Sequence, residues 1–216
     1  MSDVKLHLGD CLEILPTLEA GSVDAVITDP PYGIGEDGGL KARYRRGDGR
    51  TKGIIKHVYG GWDKERPEKI VFDYMFRLSN IIIIFGGNYF ADMLPPSPGW
   101  IYWDKNIGGD FSDGELIYTN QDVALRDYSV HPFVGLRGGK DRQHPTQKPL
   151  SLLKWIINNR IDPNTTILDP FMGSGTTGVA CVQTNRNFIG VEIEPKYYEI
   201  AEQRIKDAQR QMVMKL

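Results

Sequence analysis

The sequence predicts an α/β fold built on a mainly parallel sheet, and three observations carry that expectation. Short apolar runs alternate with amphipathic segments along the chain, the pattern of strand–helix–strand units. Two of the runs stop abruptly at an acid followed by proline, Asp29-Pro30-Pro31 and Asp169-Pro170. A length of 216 residues suits a single domain with room for long loops.

The elements follow in order. Val4–Leu8 reads as a strand, Cys11–Leu18 as a short helix ending near Pro16, and Val23–Thr28 as a second strand. From Gly33 to Pro67 no periodicity is visible and glycines are frequent, so residues 33–66 are expected to form one long loop. A helix carrying Ile70, Phe72, Tyr74, Met75 and Phe76 leads to a buried strand at Ile81–Phe85, then a short helix at Asn88–Leu94. Further strands are expected at Ile101–Trp103 and Asp122–Arg126, with Glu115–Tyr118 as another extended candidate. A helix over Leu150–Asn159, a strand at Thr166–Leu168, a helix over Thr176–Gln183, a strand at Phe188–Val191 and a helix from Lys196 to Gln211 complete the pattern.

Composition narrows the function classes. Hydrophobic residues make up 40% and charged residues 25%, ordinary globular values. The run Ile81–Phe85 is too short to span a bilayer, and Met1-Ser2-Asp3-Val4-Lys5 has no basic-then-apolar leader. Two cysteines cannot make a disulfide framework or a cysteine-based zinc site, so a reduced, cytoplasmic setting and no metal are expected. Net charge is −2, yet Lys41, Arg43, Arg45, Arg46, Arg50, Lys52 and Lys56 share one window with the single acid Asp48. Alone, such a run is most simply a solvated loop; beside a nucleic-acid site it becomes a phosphate-contacting one.

Four motifs carry chemistry. Asp29-Pro30-Pro31-Tyr32 ends a strand with two prolines that remove backbone donors and fix φ. The result is a rigid presentation of a carboxylate, carbonyls and an aromatic ring. Asp169-Pro170-Phe171-Met172-Gly173-Ser174-Gly175-Thr176 follows another strand, with Glu192-Ile193 closing the next. Read literally, Gly173-x-Gly175-x-x-Gly178 is a dinucleotide fingerprint, but Asp169 would oppose a pyrophosphate and too little chain follows to build a second nucleotide-binding half. His144-Pro145-Thr146-Gln147-Lys148-Pro149 precedes a helix, where proline is ordinary; His144 fits a structural hydrogen-bonding role. Gly9-Asp10-Cys11-Leu12 follows the first strand, and Asp10 there suits a helix N-cap.

Together these motifs resemble the amino-methylating DNA methyltransferases, and their order resembles the permuted β class of that family over nearly the whole chain. The resemblance implies a single Rossmann-like methyltransferase domain over residues 1–216, with a mostly parallel seven-stranded sheet, an antiparallel edge hairpin and a circularly permuted motif order. It implies S-adenosylmethionine as methyl donor, S-adenosylhomocysteine as product and double-stranded DNA as partner, and it leaves a homodimer open. Asp29, Pro30, Pro31 and Tyr32 would be catalytic, with the flipped target base stacked on Tyr32. Asp10, Cys11, Thr146, Lys148, Asp169, Phe171, Gly173, Gly175, Thr176, Glu192 and Ile193 would hold the cofactor. In that arrangement Asp169 faces the methionine ammonium, Thr146 and Lys148 its carboxylate, Glu192 the ribose hydroxyls, and Ile193 and Asp10 the adenine. The basic window would then contact DNA, in a loop expected to be mobile without it.

Adenine N6 is favoured over cytosine N4 because Asp opens the motif where Ser is frequent in the cytosine enzymes. An RNA-directed enzyme of similar motif and a catalytically silent DNA-binding module are the other readings. Only residues 128–147 are available for target recognition, where family members commonly have more, so the recognised DNA sequence is not legible. The resemblance points to a bacterial or phage-encoded protein of a restriction-modification system or a solitary enzyme.

Overall fold

The computed structural model describes residues 2–34, 63, 65–106, 112–132 and 147–214, and the backbone alone of three short strands at 42–45, 51–55 and 108–109. In chain order the elements are β1 (Val4–Leu8), α1 (Cys11–Ile14), β2 (Ala25–Thr28), β3 (Ala42–Arg45), β4 (Thr51–Ile55), α2 (Lys69–Leu78), β5 (Ile81–Phe85), β6 (Ile101–Asp104), β7 (Gly108–Gly109), β8 (Gly114–Thr119), β9 (Arg126–Ser129), α3 (Leu150–Arg160), β10 (Thr166–Asp169), α4 (Thr176–Gln183), β11 (Asn187–Glu192) and α5 (Pro195–Val213). Single 3-10 turns follow α1 and β5, in place of the longer helical stretches expected around Pro16 and Asn88.

The main sheet has the order β1-β11-β10-β2-β5-β8-β6-β9. The first five strands are mutually parallel, as the apolar runs predict. Alternation along each strand divides their side chains between two cores. Ala25, Ile27, Ile83, Phe85 and Ile167 pack with α3, α4 and α5 on one face. Val26, Ile82, Ile84 and Leu168 pack with α1 and α2 on the other. With helices covering both faces, ligands belong at the carboxyl ends of the parallel strands.

Four expectations are corrected. The described sheet has eight strands rather than seven. Its antiparallel element is β8, wedged between β5 and β6, while the outermost strand β9 runs parallel to β6. The last strand lies at Arg126–Ser129 and not at Asp122–Arg126, because its anchors are Tyr128, whose ring lies 4.9 Å from that of Trp155, and Val130, rather than Val123 and Leu125. Fourth, the expected loop 33–66 contains β3 and β4, which form a small second sheet with β7. Backbone pairing needs only N–H and C=O groups, so a glycine-rich basic segment can pair without the alternation that marks a half-buried strand. Of the basic window, Arg43, Arg45 and Lys52 sit on these strands; Lys41, Arg46, Arg50 and Lys56 lie outside the described residues.

Candidate active site

Adjacent parallel strands β2 and β10 bring the two acid–proline turns together. Thr28 donates a hydrogen bond of 2.7 Å to Asp169 Oδ1, joining residues 141 positions apart. Asp169 also accepts from the Phe171 amide at 3.1 Å. Burial, only partly offset by the Thr177 and Thr28 hydroxyls and that amide, pushes the Asp169 carboxyl up to about 7. Among the described residues Asp169 has no ion-pair partner. It opens instead on a cavity of about 370 Å³, which Asp29, Lys148, Phe171, Gly173, Thr176, Glu192 and Ile193 also line.

The glycine-rich turn shapes one wall of this cavity. Gly173, at φ 51°, donates its amide to Glu192 Oε2 at 2.8 Å, and the Glu194 amide holds the other oxygen at 2.9 Å. Burial raises the Glu192 carboxyl above its ordinary range, against these two backbone hydrogen bonds. A carboxylate fixed from behind by amides keeps its outward lone pairs for a ligand's hydroxyls. Ile193 beside it is 64% exposed, an apolar face at the cavity mouth.

Gly175 acts differently from expectation. It too has positive φ, 77°, but a Cβ there would meet the Ala201 Cβ at 2.8 Å, so this glycine lets α4 pack against α5 and does not line the cavity. Asp10 caps α1 through the Leu12 amide at 2.8 Å, and Cys11 is buried with its thiol pushed up to about 12, chiefly by burial. Neither lines the cavity, although the Gly9 amide bonds the Glu192 carbonyl at 2.9 Å and places that turn next to β11. Thr146 and His144 lie outside the described residues, as do 133–145 of the segment expected to read DNA.

Asp29 sits in a charged network. Lys148 Nζ lies 2.6 Å from Asp29 Oδ2 and 3.3 Å from Glu115 Oε1. The Tyr32 hydroxyl lies 2.7 Å from Asp29 Oδ1 and 2.9 Å from Glu115 Oε1. Lys105 holds the other Glu115 oxygen at 3.3 Å. Burial raises the Asp29 carboxyl, with Lys148 opposing and Glu115 adding to the rise. Glu115 is lowered: burial works against its charge, but Lys148 and Lys105 outweigh it. Lys148 stays charged, its pKa raised by the two carboxylates against burial. The buried Asp63 takes the Tyr32 and Gly33 amides at 2.6 and 2.9 Å, fixing the turn that presents Tyr32.

Two expectations change here. Lys148 is paired with Asp29 rather than standing free for a ligand carboxylate, because two acids lie within its reach. One face of the Tyr32 ring is already covered by Tyr89, stacked at 4.6 Å and 13°, and its hydroxyl is committed to two acids. Sequence reasoning missed Glu115, Thr28 and Arg204 as site residues, and met Asp63 only as part of Trp62-Asp63, a weak fit to a position seen in the family. Arg204 was missed altogether. The last reaches from α5 to the Ser174 carbonyl, to Ser174 Oγ at 2.8 Å and to Thr176 Oγ1 at 3.2 Å, bracing the glycine-rich turn. The only sequence signals were weak: an acid after Trp62, and an acid opening the strand at Gly114–Thr119. No group of His, Cys, Asp and Glu able to hold a metal, and no helix long and apolar enough to cross a membrane, occurs among the described residues.

Comparison with known proteins agrees with this geometry. A family model described as DNA methylase matches residues 98–203. The type II methyltransferase M2.MboI of Moraxella bovis is 28% identical over 248 residues, covering 92% of this chain and 86% of that protein. The type II methyltransferase M.HinfI of Haemophilus influenzae is 28% identical over 250 residues, covering 92% and 67%. Among solved structures, the M1.HpyAVI–SAM complex superposes with a TM-score of 0.61 at 26% identity, covering 94% of this chain and 98% of the other.

Proposed function

We propose that this chain, which belongs to the DNA methylase family, moves a methyl group from S-adenosylmethionine to the N6 amine of adenine in double-stranded DNA. One observation carries the reading: Asp169, a buried carboxylate with no ion-pair partner among the described residues, and Asp29, a carboxylate in a charged network, open on the same cavity from neighbouring strand ends.

The residues present fit the cofactor. Asp169 supplies a negative partner for an ammonium, Glu192 supplies fixed acceptors for ribose hydroxyls, and Ile193 supplies an apolar face for a purine. When bound, S-adenosylmethionine supplies a methyl group activated by a sulfonium. The chain's own task is at the amine, whose lone pair is delocalised into the base ring. Asp29 and the Pro30 carbonyl accept its two N–H bonds and draw the nitrogen toward tetrahedral geometry, so that positioning and electrostatics carry the catalysis. Asp63 and the two prolines keep that turn rigid. Lys148 neutralises Asp29 while the site is without a base. The base leaves the duplex to reach the cavity, and the basic strands β3 and β4 meet phosphates flanking it. The motif order fits the permuted class, and a homodimer in a bacterial cytoplasm is compatible with it.

Incubation with methyl-labelled S-adenosylmethionine and unmethylated DNA, followed by mass spectrometry of the nucleosides, tests the reading. N6-methyladenine is the expected product. N4-methylcytosine would move the assignment to the other base, and absence of any methylated DNA base would overturn it.

A further inference from the structure

Tyr32 and Glu115 set a problem in counting hydrogens. The phenol has one O–H, yet two carboxylate oxygens face it, Asp29 Oδ1 at 2.7 Å and Glu115 Oε1 at 2.9 Å. Lys148 likewise stands between the two acids, nearer Asp29. Lys105, from beyond β6, engages only Glu115. The acid on β8 therefore competes with the acid after β2 for the same hydrogen and the same ammonium.

We infer that Glu115 is a positioning residue for methyl transfer: by taking the Tyr32 hydrogen and a share of the Lys148 charge, it leaves Asp29 the stronger acceptor for a proton of the target amine. The inference rests on the function proposed above. As the amine nitrogen forms its new bond to the methyl carbon, the carbon–sulfur bond of the sulfonium breaks with its electron pair left on sulfur, and the nitrogen becomes cationic. One N–H bond then breaks, its electron pair stays on nitrogen, and the proton forms an O–H bond with Asp29. Were Glu115 absent, Lys148 and Tyr32 would both turn on Asp29, and a carboxylate so neutralised accepts protons poorly.

The groups packed on Asp29 pull it in opposite directions. Lys148 ahead of α3 and the Tyr32 hydroxyl favour its ionised form; Glu115 on β8 opposes it. Asp169 on β10 is a further acid within electrostatic reach, and Lys105 acts at one remove through Glu115. Of the two acids Asp29 is raised, chiefly by burial, and Glu115 is lowered by Lys148 and Lys105, which favours Asp29 as the seat of a proton. Glu115 is held toward its ionised form by Lys148 and Lys105 and accepts from Tyr32.

The test is a carboxyl ¹³C NMR titration of aspartate-labelled protein, with Asp29 assigned by its loss in Asp29→Asn. It is paired with the pH–rate profile of methyl transfer to an adenine-containing duplex. In Glu115→Gln the Asp29 midpoint should fall by about one pH unit. The acid limb of kcat should move the same way, and the plateau should drop by roughly tenfold, a fraction of a full acid–base contribution. S-adenosylmethionine affinity should hold, and Glu115→Asp should restore part of the midpoint. Lys105→Met should shift the midpoint in the opposite direction, upward, which keeps the inference testable if Glu115→Gln does not fold. An Asp29 midpoint that stays put or rises in folded Glu115→Gln, or that falls in Lys105→Met, overturns it. Failure of the parent protein to methylate DNA would instead remove the proposed function, since the titration needs no turnover.

Discussion

The two halves of the cavity handle buried negative charge in opposite ways. At the glycine-rich end, Asp169 and Glu192 are held by hydroxyls and amides, and among the described residues neither has an ion-pair partner. At the Asp29 end, two acids are interleaved with two lysines and a phenol. Neutral donors orient a carboxylate without cancelling its charge, so the first half is built to meet a cation from outside. Lysines cancel it, so the second half is balanced internally and made to handle a neutral group such as a base amine. One pair of acids reads as a binding site, the other as a tuned acceptor.

The largest effect that could break this contrast comes at Asp29. Asp29→Ala should reduce methyl transfer by roughly 10²–10³-fold or more while leaving cofactor affinity nearly intact, as single-turnover assays and calorimetry can show. A near-normal rate would place the chemistry elsewhere.

Next in size is Asp169→Asn, which removes a charge but keeps an acceptor for Thr28 and the Phe171 amide. Losing a charge-assisted hydrogen bond of about 1.5–3 kcal/mol should weaken S-adenosylmethionine binding by roughly 10- to 150-fold. The same change should also alter the pH dependence of stability. Because the folded Asp169 carboxyl titrates at about 7, above its ordinary 3.8, the folded state binds the proton more tightly than the unfolded chain. Its contribution to stability is therefore full below pH 3.8 and is lost as pH rises through 7. Asp169→Asn should raise Tm at pH 8 and leave it little changed near pH 4. In the parent, cofactor affinity should weaken below about pH 7 as Asp169 takes up its proton.

Arg204→Met should have a smaller effect, loosening Ser174 and Thr176 and costing about 1 kcal/mol, or roughly fivefold, in cofactor affinity. Turnover at saturating cofactor should survive. The smallest effect on the cavity belongs to the basic strands. Replacing Arg43, Arg45 and Arg46 with Ala should flatten the salt dependence of DNA binding and leave S-adenosylmethionine affinity unchanged. Unaltered DNA binding across a salt series would make the segment a solvated hairpin.

The contrast also separates what the sequence could reveal from what it could not. The parallel half of the sheet was legible because its central strands β2, β5 and β10 carry short apolar runs stopped by a turn, and Asp29, Asp169 and Glu192 mark strand ends. β8 was not legible as an internal strand, since its place between β5 and β6 depends on long-range pairing and not on its own alternation. The charged network was hidden for the same reason. Glu115 meets Tyr32 across 83 positions and Lys148 meets Asp29 across 119, so no local spacing announces either. Tyr32 was legible as an aromatic platform, but its hydroxyl contacts now make Tyr32→Phe a more damaging change than ring chemistry alone would suggest.

Single-turnover methyl transfer to duplex DNA, measured for Asp29→Ala and Asp169→Asn over a wide range of S-adenosylmethionine, tests the division of labour most directly. The Asp169→Asn rate should climb toward the parent value as cofactor is raised, while the Asp29→Ala rate stays low at every concentration. Rescue of Asp29→Ala by cofactor, or an Asp169→Asn rate that saturates far below the parent, would contradict it.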